Sequence, residues 1–213
     1  MAEPQEEALE ERARLREEQQ AEKELRAERK RLEKERSHYA AVLDALSSSG
    51  RENERDELAA KITEIDARIA DNDYRAANIR AGYVYVISNV GSFGPGIVKI
   101  GMTRRLEPLD RVRELGDASV PFGFDVHTLF FSDDAVGVET QLHHAFAEKR
   151  VNRLNLRREY FYTTPGDVKT ALAEIAGNLL EFNEYADAEQ FRASQLIRSV
   201  ELDEVEPAVS EIG

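Results

Sequence analysis

The sequence predicts an α+β fold: a small three-stranded antiparallel sheet flanked by helices, preceded by a long helical coiled-coil hairpin. Three observations predict it. Residues 5–46 contain neither glycine nor proline and are dominated by Glu, Arg, Ala, Lys and Leu, all strong helix formers. After "SSSG" a second run carries apolar residues on a three-four spacing. Then "AGYVYVISNVGSFGPGIVKIGMTRR", Ala81–Arg105, sets two β-rich runs around a glycine-dense turn, unlike any other stretch of the chain. Three segments follow: a helical arm over 1–80, an α+β domain over 81–165, and C-terminal helices with an acidic tail over 166–213.

In the first helix Leu25, Leu32, Tyr39 and Leu46 recur every seven residues, but Glu28 and Glu35 interrupt the seam until Val42 and Leu43. "SSSG" at 47–50 ends that helix. Leu58, Ile62, Ile65, Ile69, Ala76 and Ile79 line one face of the next, giving an antiparallel αα-hairpin. The distal part of the first helix is left to a partner or to solvent. Strands are expected at 83–89 and 97–101, with "VGSFGPG" supplying the turn. "LDRVREL" at 109–115 reads as a short helix. "FDVHTLFF" at 124–131 is the third strand. A helix starts at Asp133 or Asp134, either of which can cap it, and buries Val138, Leu142 and Ala145 or Phe146. "REYFYTT" at 158–164 is extended. Val168, Leu172, Ile175 and Leu179 make the next segment an amphipathic helix, and a last helix spans about 185–200.

Of the 213 residues 41% are hydrophobic and 33% charged, and the net charge is -13, so no bulk polycationic field holds this chain to nucleic acid. Any such site is local. Residues 81–165 hold ten basic and ten acidic side chains and are neutral, whereas 166–213 carry -8 and the first eighty residues -5. Five of the central cations lie between Lys149 and Arg158. The absence of cysteine excludes disulfides, cysteine zinc sites and a thiol nucleophile, and fits a reducing compartment. No run approaches the roughly 18 apolar residues of a membrane span, and the acidic N-terminus lacks the apolar core of a secretory signal. A cytoplasmic location is expected, with the arm serving as spacer, oligomerisation element or partner-targeting device.

The chemistry-bearing residues cluster in the centre. Strand alternation puts Tyr83 and Tyr85 on one face and Val84 and Val86 on the other. Tyr85 and Lys99 sit on adjacent strands, in a register that spacing does not reveal. Arg111 and Glu139 lie on separate helices beside core-facing residues. A phenol, an ammonium, a guanidinium and a carboxylate suit a phosphodiester, since Arg binds phosphate in bidentate fashion and a carboxylate holds Mg²⁺ with several waters retained. His127 and His144 read as structural. The run "KRVNRLNLRR" is either a phosphate-binding strip or a solvated turn with salt bridges.

"YVYVISN", then "IVKIGMT", "RVREL", a helix bearing "VETQLHHAF" and a closing "REYF" resemble the GIY-YIG nuclease superfamily. More narrowly, the series is similar to its phage and bacterial branch of the meiotically up-regulated gene 113 type, where the second signature commonly reads KIG. The likeness covers about 82–164. It implies that Tyr85 is the tyrosine of the first signature, with Tyr83 and Val84 where Gly and Ile usually stand. Lys99, Ile100 and Gly101 then form the second signature, with lysine in place of its tyrosine. Arg111 matches the arginine of the first helix, Glu139 the metal-binding glutamate, and His143 and Glu159 positions typical of the branch. The implied activity is hydrolysis of DNA with one Mg²⁺ or Mn²⁺ on Glu139. Tyr85, Lys99, Arg111, Glu139 and His143 would be catalytic, with Lys99 lowering the Tyr85 pKa. Arg104, Arg105, Lys149, Arg150, Arg153, Arg157 and Arg158 are the expected DNA contacts. The alternative is a catalytically degenerate nucleic-acid-binding or scaffold protein.

Overall fold

A computed structural model describes residues 4–46, 51–117, 120–177 and 181–205. Helices α1 (Pro4–Leu46) and α2 (Glu52–Ala77) form the arm. The turn expected at 47–50 lies outside the described residues, as does the acidic tail beyond 205. The two helices are antiparallel: Arg36 pairs with Asp66, Arg29 with Asp73, and the buried Asn72 amide donates to the Leu25 carbonyl at 3.2 Å. Leu25, Leu32 and Ile65 are buried between them. Glu28 does not break this seam, because Arg31 at 2.6 Å and Arg68 at 3.2 Å neutralise it. With 43 residues against 26, α1 outreaches α2 by many turns at about 1.5 Å per residue. The overhang is partnered within the chain, where Glu11 and Glu17 reach side chains of the domain.

The domain holds one antiparallel sheet of four strands in the order β3-β1-β2-β4. Strand β1 (Gly82–Ser88) pairs with β2 (Ile97–Thr103) and with β3 (Asp125–Ser132). Between β1 and β2 lies the one-turn helix α3 (Val90–Phe93), capped by the Asn89 side chain, and the turn closes through Gly94 and Gly96 at φ +79° and +77°. The expected count of three strands is corrected by β4 (Tyr160–Tyr162), which pairs Ile97–Lys99 on the free edge of β2. Three residues are too few to show a period of two, which is why "REYFYTT" reads only as extended. Its own outer edge is covered by a bridge from Arg150 to Phe161.

Alternation along β1 supplies two cores. Val84 and Val86, with Val98, Ile100 and Phe161, meet α5 (Ala135–Ala145) through Ala135, Val138 and Leu142, and α6 (Pro165–Ala176) through Val168 and Leu172. Tyr85 and Ile87 on the other face meet Val112 of α4 (Pro108–Asp117), with Leu115, Phe124, Val126 and Leu129 alongside. Asp134 caps α5 by accepting from the Gly137 amide. The core continues through α6, whose start is fixed by a Thr164–Asp167 capping box and Pro165. His127 is structural: Nε2 lies 2.8 Å from Ser88 Oγ and Nδ1 2.7 Å from the Asn183 carbonyl. Helix α7 (Glu189–Val205) follows. Among the described residues no helix is long and apolar enough to cross a membrane.

Candidate functional site

The shortness of β4 makes the site. In an antiparallel edge strand, alternate residues turn both backbone groups outward. On β2 these are Val98, Ile100 and Met102, and β4 occupies the edge only as far as Lys99. The Ile100 amide is met at 3.2 Å by the Glu159 carbonyl, just ahead of β4. The Ile100 carbonyl accepts from His143 Nε2 at 3.0 Å, and the nearby Met102 amide favours the ionised form of Glu139. One turn apart on α5, Glu139 and His143 therefore complete an edge that the sheet leaves open. Glu139, His143 and Glu159 each bring one possible ligand atom within 4.8 Å of the others, a grouping able to hold a divalent cation.

Burial, and then Glu159, push the Glu139 carboxyl up to about 8, against the pull of Lys99 and the Met102 amide. Burial pushes His143 down, against the Ile100 carbonyl. Lys99, buried at 7% exposure, bonds Glu159 at 2.9 Å and lies 5.2 Å over the Tyr160 ring. Burial disfavours its charge, but the Tyr85 phenol and the Glu159 carboxylate more than offset this, so the ammonium is held well above its ordinary range.

Tyr85 faces Gly101 across the β1–β2 ladder, and Lys99 faces Ile87, so phenol and ammonium are diagonal neighbours. The Tyr85 ring folds over Gly101: a Cβ there would sit 2.6 Å from Cζ and collide with the hydroxyl. Glycine at 101 is thus the condition for the phenol's position. The charges of Lys99 and Arg111 favour the phenolate and those of Glu159 and Glu139 oppose it. Its pKa is raised, because burial outweighs the downward pull of Lys99. The expectation that Lys99 brings it below the ordinary value is corrected: a 3% exposed ring has lost the water that would solvate a phenolate. Tyr83 stands apart from this group, packed edge-on against Phe131 and under Arg75.

Arg111 projects from α4 at 23% side-chain exposure, with Nη1 3.5 Å from Glu17 and 3.9 Å from Glu114. Its Nε is buried and has no acceptor among the described residues, so the part-exposed Nη end of the guanidinium is what faces a ligand. Glu17 is a site neighbour that sequence reasoning misses, since nothing in a solvated helix marks one glutamate among many. It accepts from Thr103 Oγ1 at 2.7 Å and from Arg105 Nη2 at 2.8 Å.

The seven cations expected to contact DNA divide. Arg105 is 5% exposed and bonded to both Glu17 and Glu114, so it faces the arm and presents no charge to a ligand. Arg104 donates to the Arg75 carbonyl at 3.4 Å. Arg150 and Arg153 bind the carbonyls of Leu156 and Glu148, both at 2.7 Å, and so shape the loop that carries them. Arg157 approaches Glu11 at 3.4 Å, and Lys149 lies 3.9 Å from Asp167. Lys149, Arg153, Arg157 and Arg158 are exposed, next to Glu159 in the chain.

Comparison with curated proteins and with solved structures gives no match. Residues 82–176, from the first residue of β1 to the last of α6, match the T5orf172 domain, which is found in phage and bacterial nuclease-like proteins.

Proposed function

We propose that this protein is a GIY-YIG-type endonuclease that hydrolyses DNA phosphodiester bonds with a divalent cation, Mg²⁺ or Mn²⁺. The observation that carries the reading is the grouping of Glu139, His143 and Glu159 at the open edge of β2, with Lys99 bonded to Glu159 and with Tyr85 and Arg111 within electrostatic reach. The T5orf172 match over 82–176 supports a nuclease context. Glu139, beside the Met102 amide, would hold the cation, which supplies Lewis-acid polarisation of the scissile phosphate. Arg111 offers its part-exposed guanidinium to the non-bridging oxygens, where charge develops as the bond breaks. Tyr85 keeps its proton in the resting protein, so its hydroxyl orients the attacking water by hydrogen bonding. Lys99 and Glu159 hold each other and set the field around that hydroxyl. DNA would lie along the exposed cations of the 149–158 loop, in the cytoplasm. The apolar seam of the arm is used within the chain, which directs any partner to its outer, charged faces.

A second reading, a degenerate nucleic-acid-binding or scaffold protein, draws on one observation: Arg111 already has Glu17 and Glu114 beside it. Incubating the full chain with supercoiled plasmid separates the two. Metal-dependent nicking by the wild type, lost in Glu139→Ala with an unchanged circular-dichroism spectrum, is the expected result. DNA retention without cleavage in either Mg²⁺ or Mn²⁺ establishes the second reading instead.

A further inference from the structure

We infer that the cation site is a three-ligand centre of Glu139, His143 and Glu159 that prefers Mn²⁺ and similar transition-metal ions to Mg²⁺. This rests on the proposed nuclease reading for its purpose, but its geometry stands independently. Ligands bound at about 2.0–2.2 Å are separated by roughly 3 to 4.4 Å. The three candidate atoms lie within 4.8 Å of one another before any ion draws them in. Each carrier is anchored apart from the ion. Glu139 sits beside the Met102 amide, and His143 is fixed to the Ile100 carbonyl at 3.0 Å. Glu159 is set by its own carbonyl, which accepts from the Ile100 amide.

The histidine decides the preference. A carbonyl can only accept, so the bond to Ile100 puts the ring proton on Nε2 and leaves the lone pair on Nδ1. A backbone acceptor on one ring nitrogen is the usual support of an imidazole that binds metal through the other. Imidazole suits first-row transition ions, whereas Mg²⁺ favours oxygen donors and keeps its waters. The ion pair of Lys99 with one Glu159 oxygen, at 2.9 Å, leaves the other oxygen for an ion. Two carboxyl groups share that single ammonium, so a divalent cation bound there leaves the corner positive, ready for phosphate.

The test uses the full chain without DNA. Mn²⁺ binding is followed by titration calorimetry and by pulsed electron paramagnetic resonance, with Mg²⁺ as competitor. One Mn²⁺ per chain is expected, bound at least tenfold tighter than Mg²⁺ and showing nitrogen coupling from a coordinated imidazole. His143→Ala should abolish that coupling and weaken Mn²⁺ about tenfold or more while leaving Mg²⁺ little changed. Glu159→Gln should weaken both ions. Absence of nitrogen coupling in the wild type overturns the inference whatever the variants do, and so does equal affinity for the two ions. Either result leaves the nuclease reading intact if Glu139-dependent nicking occurs in Mg²⁺. A protein that binds Mn²⁺ through His143 but never cuts DNA keeps this inference and loses that reading.

Discussion

Two corners of the domain each gather two carboxylates, and they are wired differently. At the arm, Glu17 and Glu114 face two guanidiniums. Arg105 alone gives Glu17 bonds of 3.1 and 2.8 Å and Glu114 bonds of 2.6 and 2.7 Å, with Arg111 close behind. At the edge of β2, Glu139 and Glu159 share one lysine, and each raises the cost of charging the other's neighbours. The first corner is balanced, and hydrogen bonding by Arg105 holds the Glu114 carboxyl below its usual range. The second is short of positive charge in a part-buried place. A joint and a site thus differ by one cation. Breaking the joint should cost stability, and breaking the site should cost chemistry.

The sharpest separation comes from Glu139→Gln. The amide keeps the shape and removes a carboxyl whose ionised form burial penalises, so thermal stability should hold or rise slightly while nicking falls about 10³-fold. A matching loss of melting temperature would put Glu139 among structural residues and erase the distinction. Gly101→Ala is next. Its methyl displaces the Tyr85 ring, at a cost of about 1–3 kcal/mol for overpacking and an expected loss of roughly 10²-fold in cleavage. Chemical-denaturant melts and plasmid nicking measure the two effects separately. Unchanged cleavage would show that the position of the phenol is immaterial.

Much of this was legible in residues. Alternation puts Tyr83 and Tyr85 on one face of the strand and Val84 and Val86 on the other, and the motif series picks out Tyr85, Lys99, Arg111, Glu139 and His143. What stayed hidden depends on register and distance. Spacing cannot say that Tyr85 opposes Gly101 while Lys99 opposes Ile87. The Ile100 carbonyl and Met102 amide are backbone groups, which no side-chain motif advertises. "TRR" reads as two surface cations, yet Arg105 is buried because a glutamate 88 residues away folds onto it. A charge's partner lies outside any local pattern.

The joint itself is probed by Arg105→Met. Methionine fills the volume but leaves Glu17 and Glu114 facing each other without their shared cation. Breaking a buried pair costs about 3–5 kcal/mol, reduced here because the Glu114 side chain is half exposed, so about 2 kcal/mol is expected. Thermal melts read the loss. Equal stability of the variant would mean that the arm is held by its seam alone.

The smallest effect is the most informative about how the corners communicate. Glu17 belongs to the joint and lies 3.5 Å from Arg111, the joint cation that the proposed site also uses. A phosphate arriving at Arg111 must share it with that carboxylate. Glu17→Gln keeps the hydrogen bonds from Thr103 and Arg105 possible and removes the charge that competes for Arg111. DNA affinity in low salt should then rise about three- to tenfold, by roughly 1 kcal/mol, and the gain should shrink as salt screens the charge. Fluorescence anisotropy with a labelled duplex at two ionic strengths reads both quantities. An affinity that falls would make Glu17 a support for Arg111 and would tie arm and site into one unit.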